Sequence, residues 1–150
     1  MVQAQQNKPY EVIMRVCIVY FTSSNSKKLF SIVNSLSEGI GKQGHQVDII
    51  NGNLDINSKL TIYNYVAIGV EGTNFLGGKL PLKVSTFLSN SGFLRGKRSY
   101  AFTLRKSLRP QKNLSKLMFS MEHEGLYLKK SDIISSSEEA KSIGKRLHIS

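Results

Sequence analysis

The sequence predicts an α/β protein: a doubly wound parallel sheet of five strands, ordered 2-1-3-4-5, with helices on both faces. Three observations predict it. Apolar, β-branched runs without a polar face recur along the chain, as strands covered on both sides require. Between them, apolar residues fall at helical spacing. The joints are short, so each strand–helix–strand unit reads as a right-handed parallel crossover. Such crossovers leave few topologies, and the simplest sets the first strand in the middle, the second on one side and the third on the other.

Residues 15–21, "RVCIVYF", are almost wholly apolar and suit a central strand. Over residues 26–43, Leu29, Val33, Leu36 and Ile40 recur at spacings of four, three and four, one helical stripe that ends at Gly41 and Gly44. "HQVDII" resumes as the second strand and "NYVAIGV" is the third, joined by an Asn-rich segment too irregular for a helix. A glycine-rich loop, "GVEGTNFLGGKLP", follows, then a short helix over residues 82–89. "KRSYAFTL" is the fourth strand. Pro110 suits the first turn of the next helix, whose inner stripe is Leu114, Leu117, Met118 and Met121. "GLYL" and "DII" read as two short strand pieces. The last helix begins after "SSSEE", where Ser135 and Glu138 have capping-box spacing, and turns Ala140, Ile143 and Leu147 inward. Residues 14–150 thus form one domain, and residues 1–13 are expected to be an N-terminal tail or a remnant of expression.

Composition narrows the function. The chain of 150 residues is 40% hydrophobic and long enough for a real core. Its apolar runs fall short of the ~20 residues of a membrane helix. The lone Cys17 excludes an intrachain disulfide and a multi-thiolate metal site, which fits a reducing cytoplasm. The N-terminal stretch lacks the pattern of a signal peptide. Lys and Arg number 21 against 10 Asp and Glu, a formal charge of +11. Residues 95–130 hold ten basic and two acidic residues, so this segment carries most of the excess and favours anionic partners.

At the end of the first strand, Thr22, Ser23, Ser24, Asn25 and Ser26 set hydroxyls and an amide ahead of a helix. Such a junction is either an ordinary cap or a cradle in which backbone N–H groups, the helix dipole and neutral donors hold a phosphate. In an open α/β sheet, ligands bind beyond the carboxyl ends of the strands where the strand order reverses, here beside this loop and residues 69–78.

The order of segments from about residue 15 to 147 resembles the flavodoxin family. "VYFTSSNSKKL" is similar to the family's S/T-x-T-G-N-T phosphate loop, "IGVEGTNFLGGKLP" to G-S-P-x-Y-x-G-G, and "FLSNSGFLRGKRSYAF" to F-L-D-x-x-x-x-L-x-G-K-x-x-A-x-F. The resemblance implies non-covalent FMN, which carries one or two electrons between redox partners. It places the phosphate on Thr22–Ser26. The ring is flanked by Thr73, Asn74, Phe75, Leu76 and Gly77 on one side and by Thr103, Leu104, Arg105 and Lys106 on the other. Phe75 falls where the family has an aromatic against the flavin. Two departures stand out. The glycine of the phosphate loop is missing, which leaves fewer N–H groups aimed inward. The loop after the fourth strand, "TLRKSLRPQKN", has neither glycine nor aromatic, and its long side chains obstruct or cover the flavin. Arg105 and Lys106 near the ring would favour the anionic reduced flavin by about 2 kcal/mol per charge at ~8 Å and an effective dielectric of ~20.

Cys17 reads as an inert small hydrophobe, and His45, His123 and His148 show no metal-ligand spacing. A nucleophile elbow and a catalytic triad are both missing. The expected protein is therefore a monomeric electron carrier rather than a substrate-converting enzyme, with an acidic redox partner and no membrane. The alternative is a module of the same fold that has lost FMN and binds an acidic protein or nucleic acid through a basic face at residues 95–130. Nucleic acid is the weaker choice, because the basic run "RKSLRPQKNLSK" has no interleaved aromatics. A flavin or quinone reductase would need a further site, for which the short chain shows no insertion.

Overall fold

The computed structural model describes residues 12–23, 26–71 and 79–150. Its strands are β1 (Arg15–Thr22), β2 (Gln46–Asn51), β3 (Tyr65–Glu71), β4 (Arg98–Leu104) and β5 (Tyr127–Ile134). The helices among the described residues are α1 (Lys27–Lys42), α2 (Lys79–Ser89), α3 (Pro110–His123) and α4 (Ser137–Arg146). All strand pairs are parallel and the sheet order is β2-β1-β3-β4-β5, as the crossover argument requires.

The sheet separates two apolar layers. On one face, Val16, Ile18, Tyr65, Ala67, Tyr100 and Phe102 pack with Leu29, Ile32, Val33, Leu36 and Ile40 of α1 and Ala140 and Ile143 of α4. On the other, Cys17, Val19, Phe21, Val66, Ile68 and Val70 meet Val84, Phe87 and Leu88 of α2 and Leu117 and Met121 of α3. This strict alternation follows from the period of two along a strand. It also fixes which way each residue at the carboxyl rim points. No helix among the described residues is long and apolar enough to cross a membrane.

The structure revises three boundaries. The two short pieces "GLYL" and "DII" are one strand, Tyr127–Ile134. Its pairing with β4 slips between Ser99 and Tyr100, whose partners are Leu128 and Lys130, so Lys129 is the extra residue of a bulge that breaks the apolar alternation. The cap of α4 is one residue later than expected: Ser136 Oγ accepts from Glu139 N–H at 3.2 Å, while Glu139 Oε2 accepts from Ser135 N–H at 3.0 Å. Three serines and two glutamates in a row offer two registers of this spacing; in the one formed Ser136 is the N-cap, and the Glu139 carboxylate reaches back to the N–H of the residue before it. Finally, α2 begins at Lys79 rather than Leu82.

Candidate functional site

At the β1–α1 junction, backbone donors are taken up largely by the protein's own acceptors. Thr22 N–H donates to Asn53 Oδ1 at 2.8 Å, and Asn53 is itself fixed by its N–H on Asn51 Oδ1 at 3.0 Å. Ser23 N–H donates to the Glu71 carbonyl at 3.3 Å. Ser26 N–H donates to Thr22 Oγ1 at 3.3 Å. Ser26 is the N-cap of α1, with extended backbone, and its Oγ accepts from Leu29 N–H at 3.1 Å. A helix start leaves its first N–H groups without intrahelical partners, and here a cap serine and a threonine hydroxyl answer two of them. Ser26 therefore caps α1. Ser24 and Asn25 lie outside the described residues.

Glu71 completes this corner, and sequence reasoning missed it. It ends β3 opposite Thr22 of β1, and strand alternation puts both side chains on the α1/α4 side. Glu71 is only 9% exposed, and its Oε2 has no hydrogen-bond partner. A buried carboxylate without a donor is costly. The signal was available: an acidic residue closing an otherwise apolar strand, in a chain with 10 acidic residues in all.

The far wall is β4 and the turn that follows. Thr103 is fully buried; its hydroxyl donates to the Val70 carbonyl at 2.7 Å and thereby ties the ends of β3 and β4 together. Leu104 is 1% exposed and sits in the core. Neither lies on the rim. Arg105 does, but its Nε donates to Ser135 Oγ at 2.9 Å and its N–H to the Ile134 carbonyl at 3.0 Å, which directs it across β5 and away from β3. Lys106 is exposed. At the end of the turn Arg109 is left-handed (φ 49°), an uncommon conformation for a residue with a side chain, and Pro110 starts α3. The structure thus brings Thr22, Ser23 and Ser26 to one corner, with Lys106 exposed on the rim turn after β4. Thr73, Asn74, Phe75, Leu76 and Gly77, expected on the near wall, lie outside the described residues.

The basic segment 95–130 is not one face. Arg95, Lys97 and Arg98 lie at the amino end of β4, where Lys97 Nζ donates to the carbonyls of Thr61 and Tyr63 at 3.0 and 2.7 Å. Arg105, Lys106 and Arg109 lie past its carboxyl end, about 20 Å away at the rise of a strand. Lys129 and Lys130 are on β5 at the sheet edge, where charge discourages strand-to-strand pairing. A core strand runs through the middle of the charge run, so the basic residues separate. Along α3, by contrast, the fold gathers what the linear sequence spread out. Lys112, Lys116, Phe119 and His123 recur at spacings of four, three and four. Phe119 is 73% exposed and its ring stacks on His123 at 6.0 Å. The basic run itself holds no aromatic, but Phe119, one turn beyond it, shares a helix face with Lys112 and Lys116.

Solved structures superpose over nearly the whole chain. A flavodoxin from the domain Archaea covers 88% of this chain and 94% of its own at 19% identity, with a TM-score of 0.61. Oxidised flavodoxin 2 from Bacillus cereus covers 87% and 94% at 16% identity, TM-score 0.66. The fold is the flavodoxin fold. An NAD(P)H:quinone oxidoreductase from Methanothermobacter marburgensis shares it at 11% identity, covering 91% of this chain and 97% of its own, TM-score 0.63. No protein-family model and no curated protein sequence matches the chain. In the flavodoxin fold the crevice between β1 and β3 is the topological switch point. For the phosphate of FMN the described part of that crevice is a poor fit: the N–H groups of Thr22, Ser23, Ser26 and Leu29 are already engaged, and the adjacent buried side chain is a carboxylate.

Proposed function

We propose that the chain is a flavin-binding electron-transfer protein, a carrier working as a monomer in the cytoplasm between redox partners. The observation that supports the reading is the sheet order, whose reversal between β1 and β3 marks the place where open α/β sheets bind their ligands. A non-covalently bound flavin such as FMN would supply the one- or two-electron chemistry. The chain's own part is to bind, orient and screen the ring. The cationic turn, with Arg105, Lys106 and Arg109, supports docking of an acidic partner in a salt-dependent encounter. Adding FMN or riboflavin to the purified protein and following flavin fluorescence tests the reading. Saturable quenching by either supports it, and unquenched fluorescence with both at tens of micromolar protein rejects it.

The expectation that a short chain argues against a reductase loses its support, since a quinone oxidoreductase shares the fold along nearly its whole length. A second reading rests on α3. Lys112, Lys116, Phe119 and His123 share one face, and Ser115, Met118, Phe119, Glu122 and His123 line a shallow hollow there. Cations next to an exposed ring suit a polyanion with stackable bases or an acidic peptide. Fluorescence anisotropy with a single-stranded oligonucleotide tests it. Binding that weakens with salt and with Phe119→Ala supports it, and salt dependence unchanged by Phe119→Ala reduces it to net charge alone.

A further inference from the structure

We infer that the amino rim of the sheet docks on an anionic lipid surface, inserting exposed apolar side chains beside exposed cations. The inference stands apart from the flavin reading, because ligands of open α/β sheets bind beyond the carboxyl ends of the strands and this rim is at the other end. Two loops meet here. Thr61, shortly before β3, accepts the Phe93 N–H on its Oγ1 at 3.3 Å, and Lys97 Nζ holds the carbonyls of Thr61 and Tyr63. Gly92, at φ 91°, lets the loops approach, since a Cβ there would strike Thr61 Oγ1. Ile62 and Phe93 thus stand on neighbouring loops, each more than half exposed. Asn64 Oδ1 accepts from Arg15 N–H at 2.8 Å, which brings the start of β1, with exposed Val12 and Ile13, to the same rim.

The charge of the rim follows from the topology. With every strand parallel, the helices run back and end where the strands begin. The last turns of α1 and α4 carry Lys42, Lys145 and Arg146, all exposed, as the helix dipole favours. Arg95 and Arg98 add two exposed guanidinium groups just before and at the start of β4. Against them stand Glu122 and Glu124 at the end of α3, and Asp48, which Arg15 meets at 3.9 Å and the Tyr63 hydroxyl at 2.7 Å. Val12, Ile13 and Ile62 cannot stack on bases, so the rim does not suit a nucleic acid. Apolar side chains on separate loops, with Lys and Arg around them, match the boundary between headgroups and acyl chains of an acidic bilayer. Such peripheral contact needs no spanning helix.

The experiment sediments the full chain with vesicles of phosphatidylcholine alone and with vesicles containing about a third phosphatidylserine, at about 0.1 M salt. Partition onto the acidic vesicles is expected to exceed that onto the neutral ones about tenfold or more. Ile62→Ser combined with Phe93→Ser leaves the charge unchanged and is expected to lower acidic-vesicle binding about tenfold. Arg95→Gln combined with Arg98→Gln is expected to lower it about twentyfold, at roughly fivefold per cation. Leu82→Ser, which removes an exposed apolar side chain in the first turn of α2 near the opposite rim, is expected to change it less than about twofold. No binding to acidic vesicles overturns the inference. So does binding that the apolar pair leaves within about twofold, which net charge alone would produce. An equal loss in Leu82→Ser overturns it too, because insertion would then not be a property of this rim. Should the apolar pair fail to fold by circular dichroism, the arginine pair decides, and a loss below about threefold overturns the inference.

Discussion

On one side of the sheet α1 and α4 meet backbone to backbone. A Cβ at Gly144 would fall 2.5 Å from the Leu36 carbonyl oxygen, and one at Gly39 only 2.3 Å from that of Lys141. Gln43 reinforces the contact, its amide donating to the carbonyls of Gly144 and Leu147 at 2.7 and 2.9 Å. On the other side α2 and α3 bury Val84, Phe87, Leu117 and Met121 yet leave Leu82 and Phe119 exposed. Both layers present cations and a ring to solvent, Phe30 on α1 and Phe119 on α3, but among the described residues only the first joins its two helices through a glycine contact.

The contrast can be broken most sharply at the glycine contact. Gly144→Val puts branched carbon against backbone that has no room to move aside, and is expected to cost about 3 kcal/mol. Urea unfolding measures it, and a loss below 1 kcal/mol would show that the two helices can separate cheaply. Next in size is the cap of the same layer. Ser26→Ala removes the acceptor of Leu29 N–H and should cost about 1 kcal/mol. Hydrogen exchange at Leu29 should quicken with it, and unchanged protection there would mean that another acceptor takes over.

The opposite layer has its own anchor at the β2 edge. Tyr63 donates its hydroxyl to Asp48 at 2.7 Å, and burial first, then that hydrogen bond, pushes its phenol up to about 12. A phenol whose folded value lies above its unfolded value near 10 gives stability that is complete below the lower value and lost as pH rises through the upper. Tyr63→Phe should therefore cost about 1 kcal/mol at neutral pH and flatten part of the stability loss between about pH 10 and 12. An alkaline limb identical to that of the wild type would contradict this. The smallest effect belongs to the open surface. Phe119→Ser should change stability by less than about 0.5 kcal/mol while lowering the salt at which the protein leaves a polyanion column. A large drop in melting temperature would place Phe119 in the packed layer instead.

Much of this was legible in the chain itself. Apolar runs and a four–three–four stripe located β1, α1, β3 and β4 within a residue or two, because periods of 2 and 3.6 survive in one dimension. They also yielded the sheet order, since right-handed crossovers are nearly obligatory. The cap at Ser26 was visible as a residue type. Three things needed the third dimension. A bulge joins "GLYL" to "DII", and a skipped residue looks like the end of a strand when only alternation is read. The basic run is split by the buried length of β4, and charge counts carry no distances. Glu71 becomes a feature of the crevice only when β3 is laid beside β1 in register, with its side chain turned toward α1. Local periodicity writes the elements into the sequence, whereas the meeting of a carboxylate, a hydroxyl and a helix terminus depends on which strand lies next to which, and only packing decides that.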